Sequence, residues 1–340
     1  MAKTKAKTNK QQNHSQNSTY ITAVIAGICV SLVIAGAVYR INNKQSLSLQ
    51  QQKEELQNQT ASSEPQKNST QKQDENKPKQ EKKLYVDEPP KVTAKAFSVE
   101  NMATGERLYG KNTELKLPPA SITKIMTALV ALDRYPLDKA VPVPPECTTV
   151  EGSKAGFKPY EVFTVEDLLS ALLIKSSADA ACTLASIDGH DTFLIAMNQK
   201  AKELGMNDTH FQNEIGLDSP DAQLSTIDDI NKMVKSALNY KIFQILVGTQ
   251  SKTIKSLSSG NKYVLHNTND LLSLPGTVGI KTGYTENAGQ CLAYLYENNG
   301  EEVLITVLGS QDRFGDTKAL LEWAKEQIKK VNEKKTKFGG

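Results

Sequence analysis

Hydrophobic and polar positions divide the chain into three stretches with different periods. Residues 21 to 39, ITAVIAGICVSLVIAGAVY, carry no charge at all. About twenty apolar residues suffice to cross a bilayer as a helix, so this run predicts a transmembrane anchor or a signal segment. From Ile41 to Lys83 the chain is rich in Gln, Asn, Lys, Glu and Ser and has no aromatic residue. Such a stretch cannot bury enough apolar surface to offset its ordering entropy, which predicts a disordered polar tether over residues 40 to 84. Only after Tyr85 do strand and helix periods begin.

In that third stretch KVTAKAFSVENM alternates as a strand does, and ERLYGKN is its expected hairpin partner across Ala103-Thr104-Gly105. A helix is expected from Ser121. A Pro-rich connection, VPVPPE, follows. A helical block then runs through VEDLLSALLI, SADAACTLASI, DTFLIAMNQKAKELG and TIDDINKMVKSAL. Strand patterns return in KTIKS, NKYVL, VGIKTG, GQCLAYLYE and EEVLITVLGS. A last helix, DTKALLEWAKEQIKKV, sets Leu320, Leu321, Ala324 and Ile328 on one face. Strands, helices, strands and a helix predict an α+β domain over residues 85 to 332, an antiparallel sheet flanked by helices with a mostly helical insertion, followed by a short tail at 333 to 340.

Charge adds direction to the apolar run. The whole chain is near balance, at +3 over 340 residues, which gives no push toward nucleic acid. The first twenty residues, however, hold four lysines and no acid. Lysines before a span place the N-terminus in the cytoplasm, so the domain is expected outside it, on the outer side of a bacterial cell membrane. Ala35-Gly36-Ala37 has the small-x-small form of a cleavage site. The length of the run and its long polar lead favour a retained anchor, and cleavage would leave a secreted protein. Of the four cysteines, Cys29 lies in the apolar run, and Cys147, Cys182 and Cys291 cannot all pair within one chain. Cys182 and Cys291 sit in apolar contexts and read as small buried residues. His14, His190, His210 and His266 are scattered with no evident partner. No metal-ligand spacing is present, and neither metal nor cofactor is expected.

Three short motifs carry candidate chemistry. Ser121 and Lys124, in PPASITKIMTALVAL, lie one turn apart on a helix whose Ile122, Ile125, Met126 and Leu129 recur at helical spacing. They can be a helix cap with a snorkelling lysine, or a nucleophile with its base. The same S-x-x-K spacing occurs at Ser69–Lys72 and Ser259–Lys262 without that context. Lys281-Thr282-Gly283, in GIKTGYT, occurs once. Its lysine and hydroxyl suit a carboxylate, and its glycine lets backbone approach backbone. Ser176, in LLIKSSADAA, stands between two apolar helices.

Taken in order, S-x-x-K, a serine motif and K-T-G form the set found in penicillin-binding proteins and serine β-lactamases. Residues 86 to 325 resemble the D-alanyl-D-alanine carboxypeptidases, the low-molecular-mass penicillin-binding proteins. The resemblance extends to FTVEDLLSALLIKS, MNQKAKELGMNDTHFQNEIGLD and GIKTGYTENAGQCLA, in family order. It does not cover the apolar run or the tether, and the chain ends before the all-β second domain that many relatives carry. The resemblance implies a β-lactamase/transpeptidase-like fold. It also implies removal of the terminal D-alanine from peptidoglycan stem peptides, with β-lactams as covalent inhibitors. Ser121 would attack the carbonyl between the two D-alanines, Lys124 would take its proton, and Ser176 would relay it. Lys281 and Thr282 would bind the terminal carboxylate, beside Gly283. The N–H groups of Ser121 and Tyr284 would hold the oxyanion.

A lysine that titrates near about 10.4 when free must fall to roughly 7 to 8 to serve as a base. That shift costs about 4 kcal/mol, and burial with Lys281 as a neighbouring cation can supply it. One position departs from the family pattern. The usual S-x-N reads Ser176-Ser177-Ala178, so the asparagine that would bond both lysine and substrate is missing. A hydrogen bond of about 0.5–1.5 kcal/mol makes this a loss of roughly tenfold in rate. Restoring Asn at Ala178 is therefore expected to speed acylation. A shifted register, Ser177-Ala178-Asp179, ranks second. Two rival readings remain: a serine β-lactamase, with Glu214 activating water, and a non-catalytic binding relative that has lost the asparagine and kept the groove.

Overall fold

Strands β8 (Gly289–Asn298) and β9 (Glu301–Ser310) are almost wholly buried, because both faces of the sheet are covered. Successive side chains point to opposite faces. In β9, Val303, Ile305 and Val307 pack toward the last helix, α7 (Arg313–Phe338), together with its Leu320, Leu321, Ala324 and Ile328. Leu304 and Leu308 face the larger helical body. In β8, Leu292, Tyr294 and Tyr296 take the α7 side, while Cys291, Ala293 and Leu295 take the other. The last helix thus buries the face read from its sequence.

The structure is a computed structural model and describes residues 87–218 and 223–338. The basic lead, the apolar run at 21 to 39 and the tether at 40 to 84 lie outside the described residues. No helix among the described residues is long and apolar enough to cross a membrane.

β1 (Ala96–Asn101) and β2 (Glu106–Lys111) form the expected hairpin. With β7 (Thr277–Thr285), β8 and β9 they make a five-stranded antiparallel sheet in the order β2-β1-β9-β8-β7. β7 is therefore an edge strand, with no strand partner on one side among the described residues. Two pairings depart from the single expected sheet. β3 (Ala140–Pro142), inside the Pro-rich connection, pairs with β4 (Val162–Thr164), and β5 (Ser251–Lys255) pairs only with β6 (Lys262–His266). These short ribbons alternate as core strands do, and period alone cannot assign a strand to a sheet.

The helical body begins with a 3-10 turn (Ala120–Thr123) leading into α1 (Lys124–Arg134). α2 (Val165–Ile174) is capped by Thr164, whose hydroxyl accepts from Asp167 N–H at 3.1 Å. α3 (Ala178–Ser186), α4 (His190–Glu203), α5 (Ile227–Ala237) and α6 (Lys241–Val247) follow. Asn231 of α5 clamps this body to the sheet. Its amide donates to Ser98 and Glu100 at 2.8 Å each, and it accepts from Thr306 at 2.7 Å.

The reading of the cysteines is corrected here. Cys147 and Cys182 are joined by a disulfide, with Cα atoms 5.4 Å apart. Cys147 belongs to a 3-10 turn (Pro145–Thr148) that packs on α3, so the pairing arises from tertiary contact across a separation of 35 residues. Cys291 is free and buried, as expected.

Candidate active site

Ser121 is not a helix cap. The 3-10 turn that holds it has Pro119 as its N-cap and α1 has Thr123, and neither end has a side-chain cap bond. The Ser121 hydroxyl instead lies 2.9 Å from Lys124 Nζ. The amine also donates to the Ile215 carbonyl at 2.6 Å, across 91 residues of sequence. Lys124 is only 1 % exposed. Burial is the largest influence on it and pulls its pKa down from 10.5 to about 7, against smaller upward pulls from Glu214 and Asp179.

The segment that presents Ile215 is itself built by side chains. Asn213 Oδ1 accepts the N–H groups of Ile215, Gly216 and Leu217 at 3.1, 2.6 and 3.2 Å. Gln223 Oε1 accepts those of Gln212 and Asn213, and its amide donates to Thr123 at 2.6 Å. Thr127 donates to the Glu214 carbonyl at 2.6 Å. Gly216 is required here. Its φ is +86°, and a Cβ on it would lie 2.1 Å from the Ala120 carbonyl oxygen.

The second and third motifs meet each other. Ser176 is the middle residue of the link from α2 to α3 and lies in the left-handed region, at φ 58°, and Ser177 N–H donates back to the Ala171 carbonyl at 3.1 Å. Lys281 Nζ donates to Ser176 Oγ at 2.8 Å and to the Thr282 carbonyl at 2.9 Å. Burial lowers the Lys281 pKa well below its ordinary range, and repulsion from Lys124 and then Arg313 adds to it. Charge on Lys124 thus disfavours charge on Lys281, whereas burial is what lowers Lys124. Thr282 shares a 2.6 Å hydrogen bond with Thr268.

Gly283 allows the close approach expected of it. A Cβ there would fall 3.1 Å from Ser121 N and from the Pro119 carbonyl oxygen. The Ser121 amide therefore runs alongside the residue before Tyr284, which is itself 62 % exposed. Arg313 is a functional candidate that the sequence reading missed. Its Nη1 donates to the Gly283 carbonyl at 3.0 Å, and its Nε is buried without a partner. An arginine just after a strand end, in GSQDRFGD, carries no motif, and only the fold brings it to Lys281.

The departure at Ala178 has a structural counterpart. Ala178 is fully buried, and its N–H donates to the Ser153 carbonyl at 2.6 Å. Asp179 is buried too. Its carboxylate accepts the N–H groups of Ala155, Gly156 and Phe157 at 3.0, 2.9 and 3.2 Å, and also the Ser177 hydroxyl. Asp179 therefore pins the segment that covers Ala178, and the second acceptor of Lys124 is the Ile215 carbonyl. The Glu214 carboxylate lies 3.4 Å from His190 Nδ1, so His190 has a partner that its sequence context did not reveal. A cavity of about 830 Å³ against α4, lined by residues such as Leu194, Ile195 and Phe211, includes none of the motif residues. The motif residues lie instead on α1 and the turn before it, on the α2–α3 link and on β7.

A family model described as D-alanyl-D-alanine carboxypeptidase matches residues 82–312. The Bacillus subtilis D-alanyl-D-alanine carboxypeptidase DacF is 34% identical over 235 residues, covering 66% of this chain and 60% of its own length. A Mycobacterium tuberculosis D-alanyl-D-alanine carboxypeptidase is 32% identical over 64% of this chain and 76% of its own. The crystal structure of a Streptomyces DD-transpeptidase superposes with a TM-score of 0.66 at 31% identity, over 69% of this chain and 98% of that one.

Proposed function

The chain belongs to the D-alanyl-D-alanine carboxypeptidase family, and from that premise we propose that it trims the terminal D-alanine from peptidoglycan stem peptides through an acyl-enzyme on Ser121. The observation that carries this reading is the buried Lys124 amine, with a pKa near 7, lying 2.9 Å from the Ser121 hydroxyl. A hydroxyl is a poor nucleophile until a base takes its proton, and a lysine neutral at working pH is such a base.

The peptide's terminal carboxylate binds Lys281, Thr282 and Arg313. Its negative charge offsets the burial of Lys281 and favours the ammonium form there. That ammonium in turn keeps Lys124 neutral. Ser121 Oγ attacks the penultimate carbonyl as its proton passes to Lys124. The oxyanion rests on the N–H groups of Ser121 and Tyr284, aimed at charge that develops only in the transition state. Ser176, with Lys281 2.8 Å behind it, gives its proton to the departing D-alanine amine and takes the one that Lys124 holds, which leaves Lys124 neutral again. Water then attacks the ester with Lys124 again as base, and Ser121 is restored. A β-lactam acylates Ser121 in the same way, but its leaving amine stays tethered, so the adduct persists.

Residues 21 to 39 serve as a membrane anchor and hold this domain outside the cytoplasm. The Cys147–Cys182 disulfide supports that placement, because such bonds persist in oxidising compartments. Incubation with a diacylated tripeptide ending in D-Ala-D-Ala tests the reading. Free D-alanine should appear, and Ser121→Ala should abolish it. No release by the parent protein, alongside stable penicillin labelling, would favour the non-catalytic relative. Fast penicillin turnover would favour the β-lactamase.

A further inference from the structure

We propose that Cys147, Cys182 and His190 form a binding site for a zinc-class divalent cation once their disulfide is reduced. The two sulfurs and a ring nitrogen of His190 all lie within 4.8 Å of one another. Cys182 Sγ and His190 Nε2 are 3.9 Å apart. A tetrahedral zinc with bonds of about 2.3 Å to sulfur and about 2.05 Å to nitrogen sets those two atoms about 3.6 Å apart. The Cys182–His190 pair therefore needs only a few tenths of an ångström of movement, while the two sulfurs, no longer bonded once reduced, must move apart to about 3.8 Å to share a tetrahedral ion.

The outer shell is also present. Glu214 Oε1 lies 3.4 Å from His190 Nδ1, the other ring nitrogen. A carboxylate on one imidazole nitrogen fixes the tautomer that turns the other nitrogen's lone pair toward a metal. Both sulfurs are buried, whereas the His190 side chain is 43 % exposed. The ion would enter past His190 and keep solvent as its fourth ligand. None of the three donors takes part in the Ser121 chemistry.

The disulfide closes this site and reduction opens it. A water-soluble phosphine reduces the bond by two electrons. Water supplies the oxygen of the phosphine oxide and the two thiol protons. The cation then displaces both thiol protons, and two thiolates balance its charge. Thiolate and imidazole donors together favour zinc over calcium or magnesium.

The test uses the full chain, oxidised or phosphine-reduced, titrated with Co²⁺ as a spectroscopic stand-in for zinc. The reduced protein should bind one Co²⁺, with a thiolate-to-cobalt charge-transfer band that zinc abolishes, and the oxidised protein should show none. His190→Gln should weaken binding at least tenfold while both thiols still titrate. Glu214→Gln should weaken it about tenfold, as outer-shell changes do. Absence of the band in the reduced protein would overturn the proposal. So would equal affinity in His190→Gln, or loss of helical circular dichroism on reduction, because the helices must persist to hold the donors together.

Discussion

Raising the pH from about 6 to about 8 should speed penicillin acylation of this protein roughly tenfold, because the neutral fraction of a group titrating near 7 rises by that factor. The group is Lys124, whose pKa burial lowers from 10.5 to about 7. Holding it there disfavours the charged form by about 5 kcal/mol relative to an exposed lysine. The same shift makes a stability prediction of fixed sign. The folded pKa lies below the unfolded one, so the unfolded chain binds more protons between about pH 7 and 10.5, and stability rises with pH across that window. Lys124→Met should remove both effects. It should be inert toward penicillin, more stable near neutral pH by about 1–4 kcal/mol as buried-charge replacements often are, and less pH-dependent in that stability. Stopped-flow acylation with a fluorescent penicillin measures the first effect, and urea midpoints across the pH range measure the second. A flat acylation profile between about pH 6 and 8, or one that rises only near the titration of a free lysine at about 10.4, would refute the reasoning. So would normal acylation of Lys124→Met.

Arg313→Gln removes a guanidinium from the carboxylate end of the cleft and should lower kcat/KM on D-Ala-D-Ala peptides at least ~10-fold, chiefly through KM, since hydrogen bonds to charged groups contribute about 1.5–3 kcal/mol. Asn213→Ala leaves three N–H groups without their acceptor and releases the Ile215 carbonyl. It should destabilise the domain by about 1–3 kcal/mol and slow acylation, and the two readouts should fall together. Removing the disulfide with Cys147→Ser and Cys182→Ser frees a loop spanning 35 residues. It should lower thermal and urea stability by about 2–4 kcal/mol, leaving the domain folded. Ala178→Asn should change penicillin acylation less than the tenfold expected from the motif alone, because Lys124 already has the Ile215 carbonyl as acceptor. A full tenfold gain, measured in the same acylation assay, would mean that this carbonyl does not stand in for the missing amide.

What was legible in the sequence was local. The α2 helix spans Val165–Ile174, matching its apolar pattern, with Thr164 as cap. Ser121 and Lys124 could be paired from spacing alone because one helical turn brings them together. Lys281 could be placed on a strand, and its carboxylate-binding reading put that strand at a sheet edge, where β7 lies. What escaped was long-range. The Ile215 carbonyl that steadies Lys124 is a backbone atom, and any residue type supplies one. Arg313 reaches the cleft only because β9 returns along β8, next to β7. The Cys147–Cys182 pairing and the Glu214 contact of His190 depend on how α3, α4 and their neighbouring turns pack, which no local period records. The helix-cap reading of Ser121 failed for a related reason: an S-x-x-K at a helix start looks the same whether the hydroxyl turns to the backbone or to the lysine.

The central claim is that Ser121 is the acylated nucleophile, activated by Lys124. The most direct measurement is mass spectrometry of the protein after penicillin treatment, with proteolytic mapping of the adduct. The account predicts one penicilloyl group per chain, on the peptide containing Ser121, and no adduct in Ser121→Ala. An adduct on another residue, or undiminished labelling of Ser121→Ala, would contradict it.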